Sequence, residues 1–163
     1  MKDYIRIAMI GTLIIRKCDA EDELSFVKLN LDFMQEVMDE NPYWISLKIP
    51  IEKEMKSVLR EALIMPEHIL IFVGEVDGEV IGYANTWTAY SIWSRGKALT
   101  IDDLYISSPY RRSGIGEELM KYLMEFAKQN GYKRVQLHAE LNNERAHSLY
   151  RKLGFSEEEM IFL

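Results

Sequence analysis

Between Leu99 and Asn130 the chain passes from a strand pattern, Leu99 to Ser107, directly into a helix pattern, Ile115 to Asn130, across Arg111-Arg112-Ser113-Gly114-Ile115-Gly116. Two glycines at such a turn let the backbone come close to a ligand. The first unpaired N–H groups of the helix then point at that ligand with the positive end of the helix dipole behind them. A phosphate or pyrophosphate is the natural guest, and an ordinary tight turn is the alternative.

The flanking patterns supply the rest of the architecture. Leu13 to Arg16 reads as a first strand, and Asp19 to Asp22 offers cap chemistry for a helix running to about Glu40 with Leu24, Val27, Leu31, Met34 and Met38 at helical spacing. Asn41-Pro42-Tyr43-Trp44 breaks it, and Glu52 to Met65 forms another helix with Met55, Leu59 and Leu63 on one face. Ile69 to Val76 and Val80 to Thr88 are β-branched, apolar runs joined by Asp77-Gly78, the dipeptide of a tight hairpin. A less ordered link, Ala89 to Gly96, leads to the strand before the glycine turn. After the helix comes an alternating strand, Arg134 to Glu140, then a helix from about Glu144 to Leu153, and a tail, Glu159 to Leu163, that reads as one more strand. The order β-α-α-β-β-β-α-β-α-β describes a layered α/β structure.

At 163 residues and 48% hydrophobic, the chain has the length of a single domain, residues 1–163, able to bury a core without disulfides or metals. The Ile5 to Ile15 region is broken by Arg6, Gly11 and Thr12, so it reads as a frayed N-terminus leading into the first strand, not a membrane span or signal peptide. The lone Cys18 fits a reducing cytoplasm. A net charge of −6 argues against nucleic-acid binding, which needs clustered cations, and suits a cationic substrate.

Two motifs in order, separated by a helix and a strand, carry a resemblance. Arg111, Gly114 and Gly116 follow the strand residues Leu104-Tyr105-Ile106, and Asn143, Ala146, Leu149-Tyr150 and Gly154-Phe155 follow at the second. The chain thereby resembles the GNAT family of N-acetyltransferases, which use acetyl-CoA, most strongly over Ile69 to Phe155. One departure is local: Ser108 stands where the family often has proline, and Pro109 follows it. The dinucleotide fingerprint fails because Leu119 occupies its third glycine position, and a P-loop fails for want of a Gly-Lys-Ser or Gly-Lys-Thr.

The resemblance implies a GNAT-like acyl-CoA N-acyltransferase fold: a mixed, mostly antiparallel central sheet flanked by helices, with splayed strands forming the coenzyme cleft. By the same resemblance the backbone of Leu104, Tyr105 and Ile106 pairs with the pantetheine arm. The amides of Arg112, Ser113, Gly114, Ile115, Gly116 and Glu117 cradle the pyrophosphate, with Arg111 and Arg112 as charge partners or simply a solvated turn. Tyr150 takes the place of a general acid, since a phenol of pKa about 10 can donate to a thiolate whose acid is about 8.5; packing beside Leu149 is its alternative role. Asn143 either bonds the coenzyme arm or caps its helix, and Lys152 either reaches a phosphate or is solvated. His138 is the candidate base, Glu140 a close second, and Asp102 or Asp103 a third.

The acceptor is expected opposite the coenzyme, near Trp44, Trp87, Tyr90 and Trp93. The implied reaction is direct attack of an amine on the thioester, with no metal. The amine is a protein or peptide N-terminus, a lysine or a small molecule, and the enzyme is a cytoplasmic monomer or homodimer without a membrane partner. A non-catalytic acyl-CoA-binding sensor is the alternative.

Overall fold

A computed structural model describes residues 3–7, 11–40 and 48–160, with the backbone alone given for 3–7. Six strands lie side by side in one sheet in chain order: β1 (Asp3–Ile7), β2 (Gly11–Lys17), β3 (Ile69–Val76), β4 (Glu79–Ser91), β5 (Gly96–Ile106) and β6 (Arg134–Leu137). The first four pairings are antiparallel and the last, β5 with β6, is parallel. Helices α1 (Glu23–Glu40) and α2 (Glu52–Leu63) separate β2 from β3, α3 (Ile115–Gln129) separates β5 from β6, and α4 (Glu144–Lys152) follows. Among the described residues no helix is long and apolar enough to cross a membrane.

The sheet separates two apolar clusters. On one face α3 buries Ile115, Leu119, Met120, Leu123 and Ala127 against Leu13, Ile15, Phe72, Leu99 and Ile101, with Leu149 and Tyr150 of α4 and the following Leu153 packed at the margin. On the other, Phe26, Val27 and Leu29 of α1 and Met55, Leu59 and Ala62 of α2 cover Ile71, Val73, Tyr83 and Tyr105. The start of α1 is fixed by a 3-10 turn, Ala20–Asp22, in which Asp19 and Asp22 cap reciprocally. Arg16 grips the buried Asp22 through two bonds of 2.6 and 2.7 Å and reaches Glu75 at 3.0 Å. Burial alone raises the Asp22 carboxyl, but the Arg16 guanidinium and the Asp19 N–H hold it below the usual carboxylate range.

Several sequence expectations are corrected. Asp3–Ile7 is a strand paired with β2 and not a frayed lead-in; polar interruptions end an apolar run but do not prevent a backbone ladder. Half of the link Ala89 to Gly96 is strand, since β4 extends to Ser91 and β5 begins at Gly96, leaving a four-residue turn. Leu24 is 67% exposed, because α1 turns the Phe26, Asn30 and Phe33 side to the sheet. Polar Asn30 hid that stripe, yet it is buried and donates to the Tyr83 hydroxyl at 2.9 Å. Strand β6 ends at Leu137, so His138 and Glu140 lie beyond it. Glu159 and Met160 are not in a strand; the last three residues, like Trp44, lie outside the described residues.

One irregularity shapes the site. Asn85 pairs with Asp103 and Thr86 with Ile101, so Asp102 is an extra residue on β5, a β-bulge. Side-chain alternation reverses across it: Leu99 and Ile101 pack toward α3 before the bulge, Leu104 and Ile106 after it. Pairing with β6 stops at the same place, the last partners being Ile101 and Leu137. From Asp102 to Ile106, therefore, β5 has β4 on one side and an open edge on the other.

Candidate active site

The open edge presents particular main-chain groups. The Ser107 N–H bonds the Ile81 carbonyl at 2.8 Å, which sets the antiparallel alternation: Tyr105 turns its N–H and C=O toward β4, and Leu104 and Ile106 turn theirs outward. Of the three residues expected to pair with an extended ligand, Tyr105 is thus corrected to a β4 partner. Arg111 Nε takes the Ile106 carbonyl at 2.7 Å, which leaves both groups of Leu104 and the Ile106 N–H on that edge.

Beyond β5 the chain makes a 3-10 turn, Ser108–Tyr110, that contains Pro109, and then enters the glycine turn. Arg112 and Gly114 both adopt left-handed backbone, with φ of 64° and 88°. The first backbone bond at the head of α3 is Glu118 N–H to the Gly114 carbonyl at 3.0 Å, and the N–H groups of 112–117 make no backbone bond within the described residues. A Cβ at Gly114 would meet nothing within 4 Å, and one at Gly116 only Ile106 Cγ1 at 3.8 Å. Internal packing therefore leaves the approach to these amides open. A row of unpaired N–H groups with the helix dipole behind it fits a diphosphate-bearing group.

The side chains around this seat have assignments of their own. Arg111 points away from it: Nη2 meets Glu36 of α1 at 2.5 Å, and the guanidinium lies 5.1 Å from the Tyr105 ring centre. Arg112 is exposed. Lys152 is ion-paired with Glu117 at 2.5 Å, and Lys121 meets the same carboxylate at 3.0 Å. Those two lysines hold the Glu117 carboxyl below its ordinary value and tie α4 to the first turn of α3.

Asn143 caps α4, its Oδ1 accepting from Ala146 N–H at 3.1 Å. Tyr150 is half-buried on the α3 side of the sheet, edge-on to Phe155 at 6.0 Å, and burial raises its phenol, so it keeps its proton at neutral pH. His138 and Glu140 are exposed in the segment after β6.

On the opposite face of β5 stands Asp103, the third candidate base, with a partner the sequence did not single out. Asn85 Nδ2 donates to Asp103 at 2.7 Å, and the Asn85 Oδ1 is buried without a partner. Burial raises the Asp103 carboxyl, the Asn85 bond lowers it and the Asp102 charge raises it, with a net upward shift. Thr100 Oγ1 accepts from Gln136 Nε2 at 3.0 Å where β5 and β6 still pair. Trp87, whose register partner is Thr100, is 39% exposed. Tyr90 and Trp93 are 73% and 90% exposed near the far end of the β4–β5 hairpin. Eleven residues of β5 at about 3.3 Å each put that tip roughly 30 Å from Ile106, at the end of β5 away from the glycine turn. In the sequence Asp103 is a third-choice base, while Asn85 has no signal beyond its place on an apolar strand; the bulge that brings them to the fork needs the pairing to be seen.

A sheet forked beside a bulge, with a glycine-fronted helix aimed into the fork, defines an acyl-transferase architecture. The Acetyltransferase (GNAT) family matches residues 31–155, and the chain belongs to that family. It is 32% identical over 89 residues to YhfO of Bacillus subtilis, an uncharacterized N-acetyltransferase, covering 55% of this chain and 60% of that one. It is 36% identical over 87 residues to a thialysine N-epsilon-acetyltransferase of Bos taurus, covering 53% and 51%. The chain thus spans little more than half the length of these relatives. A possible acetyltransferase from Clostridium difficile has the same fold, with a TM-score of 0.78 at 20% identity over 93% of this chain and 95% of that one.

Proposed function

We propose that residues 1–163 act as one acetyl-CoA-dependent N-acetyltransferase domain that moves an acetyl group to an amine by direct attack on the thioester. The observation that carries this reading is the unpaired amide row of 112–117 set at the end of the open β5 edge. The amides hold the pyrophosphate, and the outward groups of Leu104 and Ile106 hold the pantetheine arm as an added strand. Bound there, acetyl-CoA supplies the activated acyl group. Tyr150, protonated at neutral pH, donates a hydrogen bond and then a proton to the departing sulfur.

The amine must lose its proton before attack. Asp103 is favoured as the base, ahead of His138 and Glu140, because it stands at the fork and its raised carboxyl takes a proton more readily than an ordinary aspartate. Direct attack of a neutral amine on the thioester needs no metal. The net charge of −6 favours a cationic acceptor. The buried free Cys18, its thiol pushed up to about 12 chiefly by burial, suits a cytoplasmic setting.

The test is release of CoA from acetyl-CoA across a panel of peptide N-termini, lysine peptides and small amines. Release dependent on one acceptor class supports the reading. Tight coenzyme binding with no release under any acceptor would favour the acyl-CoA sensor instead.

A further inference from the structure

Arg111 opens the motif before the glycine turn, yet its side chain does not face the amide row. It is held by three groups at once: the Ile106 carbonyl at 2.7 Å, the Glu36 carboxylate at 2.5 Å and the face of Tyr105 at 5.1 Å. Glu36 is shared in turn, its other oxygen accepting from the Tyr105 hydroxyl at 2.8 Å. One carboxylate on α1 thus binds both the middle of the open β5 segment and the first residue of the turn. The pair is part-buried, with side-chain exposures of 26% for Arg111 and 37% for Glu36, so it is less screened than a surface ion pair. The geometry is also suited to arginine alone, since a lysine has neither the planar fork nor the stacking face.

We propose that Glu36 is a positioning residue for the coenzyme seat: through Arg111 and Tyr105 it fixes the turn 111–116 against the end of β5 and so sets coenzyme affinity from α1, on the sheet face opposite α3. The proposal rests on the reading of 112–117 as the pyrophosphate seat. Three consequences follow from the contacts. The turn has left-handed residues at Arg112 and Gly114, and from Arg112 onward its amides make no backbone bond among the described residues, so side-chain anchors help to hold its shape. Arg111 is the anchor that joins the turn to the last carbonyl of β5. Glu36 orients that anchor and, through Tyr105, keeps α1 in step with the strand that carries the pantetheine groups.

The experiment measures CoA binding by calorimetry, with KM for acetyl-CoA, KM for the acceptor, and kcat, in the wild type, Glu36→Ala, Glu36→Gln, Arg111→Lys and the seat variant Gly116→Asp. Loss of one charge-assisted anchor weakens CoA binding and raises KM for acetyl-CoA about tenfold in Glu36→Ala, while kcat at saturation and acceptor KM hold. Glu36→Gln, which still accepts from both partners, loses less, and Arg111→Lys behaves like Glu36→Ala. Unchanged CoA affinity in Glu36→Ala, with wild type binding and Gly116→Asp not, would overturn the positioning role and leave the seat intact. Tighter binding in Glu36→Ala would overturn it too, because Arg111 would then be a phosphate ligand that Glu36 withholds. Wild-type binding undiminished by Gly116→Asp would instead remove the seat itself.

Discussion

Gly116→Asp separates what the glycine turn does for the fold from what it does for a ligand, because the two effects have opposite signs. Gly116 is the second residue of α3, and a Cβ there makes only an ordinary contact with Ile106 at 3.8 Å. Replacing glycine in a helix removes a backbone-entropy penalty of up to about 1 kcal/mol. A carboxylate in the first turn adds about 0.3–1 kcal/mol from the dipole. The variant without ligand should therefore melt no lower than wild type. With a pyrophosphate on the 112–117 amides the new carboxylate stands roughly 5 Å from a group of like charge. At an effective dielectric of about 20 that repulsion is about 3 kcal/mol per charge, or at least a hundredfold in affinity. Calorimetry with CoA at about 0.1 M and 1 M salt, alongside thermal melts, checks both signs, and the deficit should shrink at high salt as the Debye length falls from about 10 Å to about 3 Å. Gly116→Ala should keep both stability and binding, whereas Gly114→Ala, forced to a φ of 88°, should lose about 1–2 kcal/mol of stability. Equal CoA affinity in wild type and Gly116→Asp would refute the assignment of the amide row.

Arg16→Met leaves the Asp22 carboxylate, 5% exposed, without its cation. A loss of about 3 kcal/mol at neutral pH is expected in denaturant titrations. Since the folded Asp22 carboxyl lies below its unfolded value, the stabilisation is present above about pH 4 and is lost as pH falls through the folded value, so the gap to wild type should close on acidification. A gap that persists at low pH would assign the loss to packing. Tyr150→Phe should lower kcat by about tenfold or more with CoA affinity kept, as expected for a group that acts only in the transition state; full turnover would pass the proton to another donor.

The legible parts of this molecule are those written in short-range pattern. Asp77-Gly78 at a tight turn appears with both φ values positive, 50° and 85°, as a primed hairpin turn requires. The α3 stripe Ile115, Leu119, Leu123, Phe126 and Ala127 is the stripe that packs on the sheet. The glycine turn at the head of α3 was legible for the same reason, since its backbone needs are met within six residues. Features made by residues far apart in the chain were not legible. Glu36 lies 75 positions from Arg111, and nothing in its own helix marks it, because a glutamate three-quarters of the way along an amphipathic helix is indistinguishable from a solvated one until the partner is known. Likewise Asn30 breaks an apolar stripe on paper and completes it in space, through a hydroxyl 53 residues away.

The bulge at Asp102 is the clearest case, and it joins fold to function. A strand read at period two predicts that Leu99, Ile101, Asp103 and Tyr105 share a face, and a carboxylate in that row looks like an error of patterning. With one residue inserted at Asp102 the row breaks, so Leu104 and Ile106 take over the α3 face while Asp103 and Tyr105 turn to α1. The apolar pattern of β5 is therefore consistent with burial on both faces only if the bulge is present. The same inserted residue bends the strand where β6 stops pairing. The fork that exposes the Leu104 and Ile106 main chain and the turn that brings Asp103 beside Asn85 are thus consequences of a single extra residue. Deleting Asp102 would place Asp103 directly after Ile101, so Leu104 and Ile106 should keep the α3 face and Asp103 and Tyr105 the α1 face; the bend should be lost, and with it the open edge and CoA binding, whereas Asp102→Asn, which keeps the extra residue, should leave both fold and binding unchanged by thermal melting and calorimetry. A deletion variant that binds CoA as tightly as wild type would show that the bulge is not what opens the β5 edge.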